Sequence, residues 1–359
     1  MRSAVIQLVP YLPPSISGVG DYALLLASEL RRAYNIDTRF LVGNLSWNGP
    51  SEVNGFSVVK VKEPKAEDLE TSIRNSSDTD GPLLLQYVGY GYEKRGCPVW
   101  LVRGLERWRD KEKSRRLITM FHELYAFGPF WRSSFWTFPV QKRLVKRLAN
   151  ISDRCQTNMR MYARILGMLS SRHCNRIPVL PVFSTIGEPS RLLPLAERKR
   201  QMVVFGSWGW RREVYTQYVQ RLKQACHLLQ TETIVDAGMP TGLKLEVPLR
   251  VIELGKQSAE DASRLLAESL AGFFSYFDGY LAKSGIFAAY CAHGLLPVLA
   301  SRNCSELDGV RAGREYLAAS SLPDRVSDLN LQAIATNANS WYREHSLAKT
   351  AATIAAALK

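Results

Sequence analysis

Residues 277–300 read FDGYLAKSGIFAAYCAHGLLPVLA. The apolar run Gly272–Phe277 is expected as a strand, and the polar residues after it as a loop. A helix of small residues is expected from about Ser284 to His293. Gly294 stops it, because glycine enters the left-handed conformation that ends helices at little cost. Leu295–Ala300 then forms the next buried strand. The start of the helix faces a loop that holds Lys283, Ser284 and Gly285. Free first-turn N–H groups beside a lysine make a ready site for an anion.

The same strand–helix rhythm extends outward. Toward the N-terminus, strands are expected at Ala4–Val9, Thr38–Gly43, Phe56–Lys62, Leu83–Val88 and Arg116–His122, with a short segment at Cys155–Thr157. Helices are expected over Gly20–Tyr34, Val99–Glu112, Val140–Asn150 and Asn158–Leu169. The texture then changes: Pro178, Pro181, Pro189 and Pro194, with the charged cluster Glu197–Arg200, read as an exposed linker. The rhythm restarts with strands at Met202–Phe205, Thr233–Val235 and Arg250–Leu254. Helices over Val214–Leu229 and Ala259–Ser269 intervene, and one over Ser340–Leu358 closes the sequence. Strands alternating with helices argue for parallel sheets covered on both faces. The expected fold is α/β, two Rossmann-like domains facing a central cleft. Residues 1–185 form the first, 186–200 the linker and 201–359 the second, with the last helix expected to pack back on the first domain. Such sheets bind ligands at the carboxyl ends of their strands.

Composition narrows the class. A chain of 359 residues suits two domains, and 46% hydrophobic with 22% charged residues is globular. The apolar start Ala4–Val9 is closed by Pro10, Pro13 and Pro14, too short for a secretory leader or a bilayer span. An integral membrane protein is therefore not expected, and the reading is a cytoplasmic chain. Cysteines 97, 155, 174, 226, 291 and 304 are scattered, with no CxxC and no histidine at zinc spacing. Reduced thiols and no metal site are expected. Forty-seven basic against thirty-three acidic residues give +14, which suits an anionic partner: a nucleotide, a phospholipid surface or nucleic acid.

Several motifs carry chemistry. Gly18-Val19-Gly20-Asp21-Tyr22-Ala23 fits G-x-G-x-x-A at a helix start. Eight residues, Pro10–Ser17, separate it from the preceding strand, and the second strand ends at Gly43-Asn44 without an acid. It is therefore not a dinucleotide fingerprint. It is either a loop that lets backbone approach a ligand or a plain turn. His122 stands at a strand's carboxyl end before Glu123, where ligand contact and a structural role are both open. Gly206-Ser207-Trp208-Gly209-Trp210-Arg211-Arg212-Glu213 follows the first strand of the second half. Gly206 permits close approach, and Arg211 or Arg212 offers a phosphate clamp; the alternative is two arginines on a helix's first turn. Asp78-Thr79-Asp80 has the form of a DxD metal motif but precedes its strand, the wrong end for such a site. Residues 127–138, FGPFWRSSFWTF, carry six aromatics and lead into a helix with Lys142, Arg143, Lys146 and Arg147 beside the apolar line Val140, Leu144, Leu148 and Ile151. The pattern suits a helix at a membrane interface. It also suits a sheet-packing helix with a solvated basic face and aromatics in the core or an acceptor pocket.

Together these residues resemble GT-B glycosyltransferases, and within them glycosyltransferase family 4. Ser17–Tyr22 is similar to that family's N-terminal glycine loop, and His122 to its strand-end histidine. Val203-Val204-Phe205-Gly206 followed by Arg211-Arg212 looks like the entry to its donor domain. Val251–Gly255 with the helix at Glu260, then Ala292–Val298, is similar to its closing A-x-G-x-P-V pattern. The likeness covers residues 4 to 300. It implies transfer of a sugar from a nucleotide-diphosphate donor to an acceptor held by the first domain, with retention of configuration and no bound metal. Basic groups and helix N-termini would neutralise the leaving diphosphate. One departure stands out: the family's two glutamates fall at Leu281 and Ala289, and Asp278, Lys283 and Ser284 are the polar residues there instead.

The expected activity is hexosyl transfer to a glycan or lipid-linked acceptor in polysaccharide biosynthesis. Gly18, Gly20 and Asp21 are expected to shape the acceptor side, and His122 to contact the sugar or acceptor. Gly206, Arg211 or Arg212, Lys283 and the N–H groups of Ser284 and Gly285 are expected to hold the diphosphate, with Asp278 on a sugar hydroxyl. No cofactor is expected beyond the nucleotide sugar as co-substrate. The absent glutamates favour an alternative, a catalytically silent GT-B-like binding protein in a glycan-assembly complex. Nucleic acid, suggested by charge alone, is not an expected partner. Contact with an anionic membrane at the cytoplasmic face stays open beside the sheet-packing alternative for residues 127–151.

Overall fold

The computed structural model describes residues 3–76, 81–170, 172, 177–243, 249–277, 279–300, 306–323, 325 and 330–359. The chain divides into two compact units, Met1–Pro181 with Leu347–Lys359, and Val182–Ser346. The first unit opens with β1 (Ser3–Val9), α1 (Gly18–Tyr34), β2 (Ile36–Val42), β3 (Glu52–Val53), β4 (Phe56–Lys60) and α2 (Ala66–Asn75). It continues through β5 (Leu83–Tyr87), α3 (Gly89–Tyr92), α4 (Val99–Lys111), β6 (Leu117–Phe121), α5 (Ser133–Ile151), β7 (Arg154–Thr157) and α6 (Arg160–Leu169). The second runs β8 (Lys199–Phe205), α7 (Trp208–Gln217), α8 (Val219–Leu228), β9 (Thr233–Ala237), β10 (Arg250–Gly255) and α9 (Ala259–Glu268). It is completed by β11 (Ser269–Phe274), α10 (Gly285–Ala292), β12 (Leu296–Leu299), β13 (Leu317–Ala318) and α11 (Leu331–Arg343). The last helix, α12 (Leu347–Leu358), belongs to the first unit and packs on α1.

Both sheets are wound in the same way. The first has the order β3-β4-β2-β1-β5-β6-β7, parallel throughout except for the β3–β4 hairpin. That hairpin turns on Asn54-Gly55, both at positive φ, as a two-residue turn requires. The second has the order β10-β9-β8-β11-β12-β13 and is fully parallel. In each, the chain first works outward to one side of its opening strand and then to the other. The direction reverses between β1 and β5 in one unit, and between β8 and β11 in the other. Right-handed crossovers then put the helices of the two directions on opposite faces.

The inner strands β5, β6, β11 and β12 are mainly apolar because both faces are covered. All residues of β5, β6, β11 and β12 are buried. Val204, Ile234, Phe273 and Val298 carry one sheet face into the core of the second unit, where Leu222 and Ile334 meet them from helices. Helix starts are fixed by side-chain caps: Ser17 accepts from Gly20 N–H, Ser258 from Asp261, Ser284 from Phe287 and Asn330 from Ala333. Gly294, at φ 62°, stops α10 as the sequence suggests.

Several boundaries differ from expectation. β11 ends at Phe274, so Ser275, Tyr276 and Phe277 lie in the loop rather than the strand. α5 starts at Ser133, ahead of Val140, and contains Pro139; the proline is exposed on the outer side of the helix. Tyr218 divides the helix expected over Val214–Leu229 into α7 and α8, and Glu344–Ser346 divide the final one into α11 and α12. Helices α2 and α3 and strands β3 and β13 were not anticipated. Asp78, Asp80 and Asp278 lie outside the described residues. No described helix is long and apolar enough to cross a membrane.

Candidate functional site

The switch point of the second unit brings the connections after β8 and β11 together. Gly206, leaving β8, has φ 126°, and a Cβ on it would lie 2.5 Å from Ile286 Cδ1. The first turn of α10 thus sits directly on the backbone that leaves β8. Tyr290, one helical turn further on, anchors the same contact. Its ring lies on Gly272, where a Cβ would come within 2.4 Å, and its hydroxyl accepts from Phe205 N–H at 3.2 Å. Burial pushes the Tyr290 phenol well above its ordinary pKa, so the hydroxyl keeps its proton for the carbonyls of Val203 and Phe273. Phe287, Ala288, Ala289, Tyr290, Cys291 and Ala292 are all buried, which fixes where the N-terminus of α10 stands.

At that N-terminus, Ser284 is fully buried and its hydroxyl takes Phe287 N–H at 3.1 Å. Ser284 N–H itself donates to Leu281 O at 2.9 Å. The N–H groups of Gly285 and Ile286 fall outside the helix's own ladder. Gly285 is exposed, and a Cβ there would meet nothing within 4 Å. Lys283 is half-buried with its Nζ 5.7 Å from the Tyr280 ring centroid. The serine therefore contributes as a cap, and the first-turn N–H groups outside the ladder belong to Gly285 and Ile286, with Lys283 beside them.

The two adjacent arginines part company. Arg211 is buried, with its Nε donating to Gly206 O at 3.1 Å and its other nitrogens to the Asp236 carboxylate and to Met239 O. Tyr215 completes the group by donating to the second Asp236 oxygen at 2.8 Å. Burial and the adjacent carboxylate raise the Tyr215 pKa, keeping that proton in place. Arg211 is therefore not the mobile phosphate clamp the sequence allows. It ties the exit of β8 to the exit of β9, and Gly238 at φ 152° is needed because a Cβ there would lie 2.6 Å from Arg211 Nε. Arg212 is exposed, with its guanidinium 5.5 Å from the Trp208 ring centroid. Across the switch point Ser275 donates to Glu213 at 3.0 Å, and Trp210 packs on Tyr276 and Phe277 with ring centroids 5.0 Å away in each case.

In the first unit the equivalent position lies after β1. Gly20 is required by packing: a Cβ on it would lie 2.6 Å from Tyr11 O, so the loop of residues 10–17 rests on the start of α1. Gly18 has no such neighbour. Trp47 Nε1 donates to Leu12 O at 2.8 Å and holds that loop down. Asp21 sits in the first turn of α1. Tyr22, next to it, lies edge-on to His122 at 4.9 Å, so the glycine motif and the strand-end histidine meet.

His122 is buried and belongs to a directed chain of side chains. Gln7 Nε2 donates to Ala23 O at 3.4 Å, Gln86 Nε2 to Gln7 Oε1 at 2.6 Å, and Gln86 Oε1 lies 2.7 Å from His122 Nε2. The backbone carbonyl at one end can only accept, which sets each amide in turn and leaves His122 Nε2 as the donor. Any contact His122 makes with a ligand falls to its Nδ1 edge. Among the described residues, no three His, Cys, Asp or Glu side chains are grouped as metal ligands.

No family model and no curated protein sequence matches the chain. Solved structures do. An alpha-glucosyltransferase in complex with UDP and DNA containing a HMU base superposes with a TM-score of 0.58 at 9% identity, covering 99% of both chains. The GtfA/B complex gives 0.57 at 11% identity, again over 99% of each. The lipopolysaccharide outer core galactosyltransferase WaaB gives 0.55 at 10% identity, over 98% of this chain and 99% of that one. The fold is GT-B.

Within this GT-B chain, the residues that sequence reasoning missed are mostly buried polar ones. Asp236 is the only carboxylate in the strand Thr-Ile-Val-Asp-Ala, and a buried charge must have a partner, so the signal was present. Gln7 and Gln86 are likewise lone amides in apolar strands. Leu281 and Ala289, where the sequence resemblance would place two glutamates, are both buried.

Proposed function

We propose that this chain is a glycosyltransferase that moves a hexosyl unit from a nucleotide-diphosphate sugar to a glycan or lipid-linked acceptor. The observation that carries the reading is the second switch point, where Gly206 lets the N-terminus of α10 stand against the exit of β8. Helix N-termini at such switch points suit a diphosphate. The donor would lie there, with Lys283, Arg212 and the N–H groups of Gly285 and Ile286 meeting the charge that builds on the leaving diphosphate. Trp210 and Phe277 supply an aromatic wall beside it. The acceptor would lie at the strand ends of the first unit, near Gly20, Asp21 and the Nδ1 edge of His122. A family 4-like, retaining mechanism in cytoplasmic polysaccharide biosynthesis follows from the sequence resemblance. The carboxylate-free positions Leu281 and Ala289 favour a second reading, a catalytically silent GT-B-like protein that binds a nucleotide sugar within a glycan-assembly complex.

A thermal-shift panel of UDP-, GDP-, ADP- and TDP-sugars tests both, followed by transfer and donor-hydrolysis assays with whichever ligand stabilises the chain. Arg212→Ala and Lys283→Ala should each weaken that ligand about tenfold, the value of one charge-assisted contact. Stabilisation with turnover supports the transferase, stabilisation without turnover supports the silent protein, and a flat panel rejects both.

A further inference from the structure

We propose that the first unit carries a docking surface for an anionic lipid bilayer, built from the loop after β6 and the outer side of α5. The aromatics of residues 127–138 do not enter the core. Phe127 is 73% exposed, Phe130 65%, Trp131 72% and Trp136 70%, and Phe135 and Val140 are exposed beside them. An apolar cluster of this size on a monomer marks an interaction site. The cluster is preformed: Phe130 packs edge-on to Trp131 at 4.9 Å, Phe135 to Trp136 at 5.3 Å and Phe127 to Phe138 at 5.2 Å. Trp136 Nε1 donates to Phe130 O at 2.9 Å, tying the loop to the helix.

The charge around the cluster identifies its partner. Between Glu123 and Asp153 the chain has no acidic residue and five basic ones. Arg147 is paired with Glu106, while Arg132, Lys142, Arg143 and Lys146 are exposed and form no ion pair among the described residues. Gln141, Leu144, Val145, Leu148 and Ala149 are the buried side of α5. Phe135, Pro139, Lys142 and Lys146 follow the spacing of one outer side, with Trp136, Val140 and Arg143 next to it. Aromatics therefore occupy the first turns and cations the later ones, on the same outward side. Trp136 and Lys146 are separated by about 15 Å along the axis. That arrangement lets the rings enter the boundary between headgroups and acyl chains while the cations stay at phosphate level. A glycan platform would need carboxylates or amides aimed at sugar hydroxyls, and this outer side has none. Duplex nucleic acid would use the cations but, with its bases already stacked, not the protruding rings. The surface lies wholly in the first unit and rests on no assumption about the transferred sugar.

The test uses the full chain and vesicles of phosphatidylcholine with phosphatidylglycerol, set against phosphatidylcholine alone, in co-sedimentation. Preferential binding to the anionic vesicles, weakened by salt, is expected. The variant Lys142→Ala/Arg143→Ala/Lys146→Ala should lose about 100-fold in affinity, at about fivefold per cation. Trp131→Ser/Trp136→Ser should lose about tenfold or more and should abolish the blue shift of tryptophan fluorescence on binding. Both variants should keep the parent's unfolding midpoint, because every altered side chain is exposed. Equal binding to both vesicle types, or variants that bind like the parent, overturns the proposal. So does competition by soluble oligosaccharide, or duplex DNA bound as tightly as the vesicles and indifferent to the tryptophans.

Discussion

Replacing Asp236 by alanine gives a sharp test of how the donor side of the second unit is held. The substitution leaves the Arg211 guanidinium buried among Gly206 O and Met239 O with no counter-charge, and strips the Tyr215 hydroxyl of its acceptor. Breaking a buried pair from one side costs about 3–5 kcal/mol, because a charge remains where water cannot reach it. For a unit of this size that corresponds to a midpoint lower by roughly 10 °C. Glu260→Ala, which removes one of the two exposed partners of Arg264, is the matched control and should cost about 0.5 kcal/mol or less. The triple variant Arg211→Met/Tyr215→Phe/Asp236→Leu should recover most of the loss, since it removes the charge and both hydrogen-bonding partners together. Urea unfolding, followed by circular dichroism and tryptophan fluorescence, provides the measurement. A loss below about 1 kcal/mol for Asp236→Ala would refute the reasoning. Arg211 would then be loosely held, and free to act on a phosphate after all.

Three further outcomes are expected. Burial, with Arg198 nearby, lowers the pKa of His293 from 6.5 to about 4. The folded chain thus prefers neutral His293, so stability is full above pH 6.5, falls as pH drops toward 4 and levels off once both states are protonated. The span is worth about 3 kcal/mol, and His293→Asn should flatten the stability–pH slope by that one proton in denaturant titrations. Gly18→Ala should be neutral or stabilise by up to about 1 kcal/mol, whereas Gly20→Ala should destabilise by about 2 kcal/mol despite alanine's better helix propensity. Equal effects in thermal melts would deny the close approach of Gly20 to Tyr11 O. Gln7→Leu should cost about 2 kcal/mol, because it leaves the Gln86 amide without an acceptor inside the sheet. If urea unfolding shows no loss, the directed chain to His122 is not formed.

Much of the architecture was legible because parallel strands covered on both faces must be apolar, and those runs stand out between polar turns. Where two faces were not both buried, the signal failed. Helix α2 buries only Leu69, Glu70 and Ile73 in a charged stretch, too narrow a stripe to distinguish from a loop. The breaks at Tyr218 and at Glu344–Ser346 contain neither glycine nor proline, so nothing local announces them. The helix expected from Val140 is already under way there, since α5 starts at Ser133 and carries Pro139 inside it. At the site, the need for glycine where backbone is closely approached was readable at Gly20 and Gly206, whereas Ser284, expected to offer its N–H to the diphosphate, caps α10 and gives that N–H to Leu281 O. The roles of Arg211 and Arg212 were not readable. Neighbours on a helix point about 100° apart, so one arginine turns into the protein and the other into solvent. Only knowing which direction holds the sheet decides between them, although the lone Asp236 in β9 offered a clue.

The assignment of α12 to the first unit has a consequence for biogenesis. The second unit is an insertion within the first, so the residues that finish the earlier unit are translated after all of the later one. While ribosomes elongate through residues 182–346, α1 waits with the surface that α12 will cover still open. The second unit is contiguous and can fold as soon as it emerges. The unit made first is thus the one completed last, and a chain cut after Ser346 would keep every strand of both sheets yet release the first in an unfinished state.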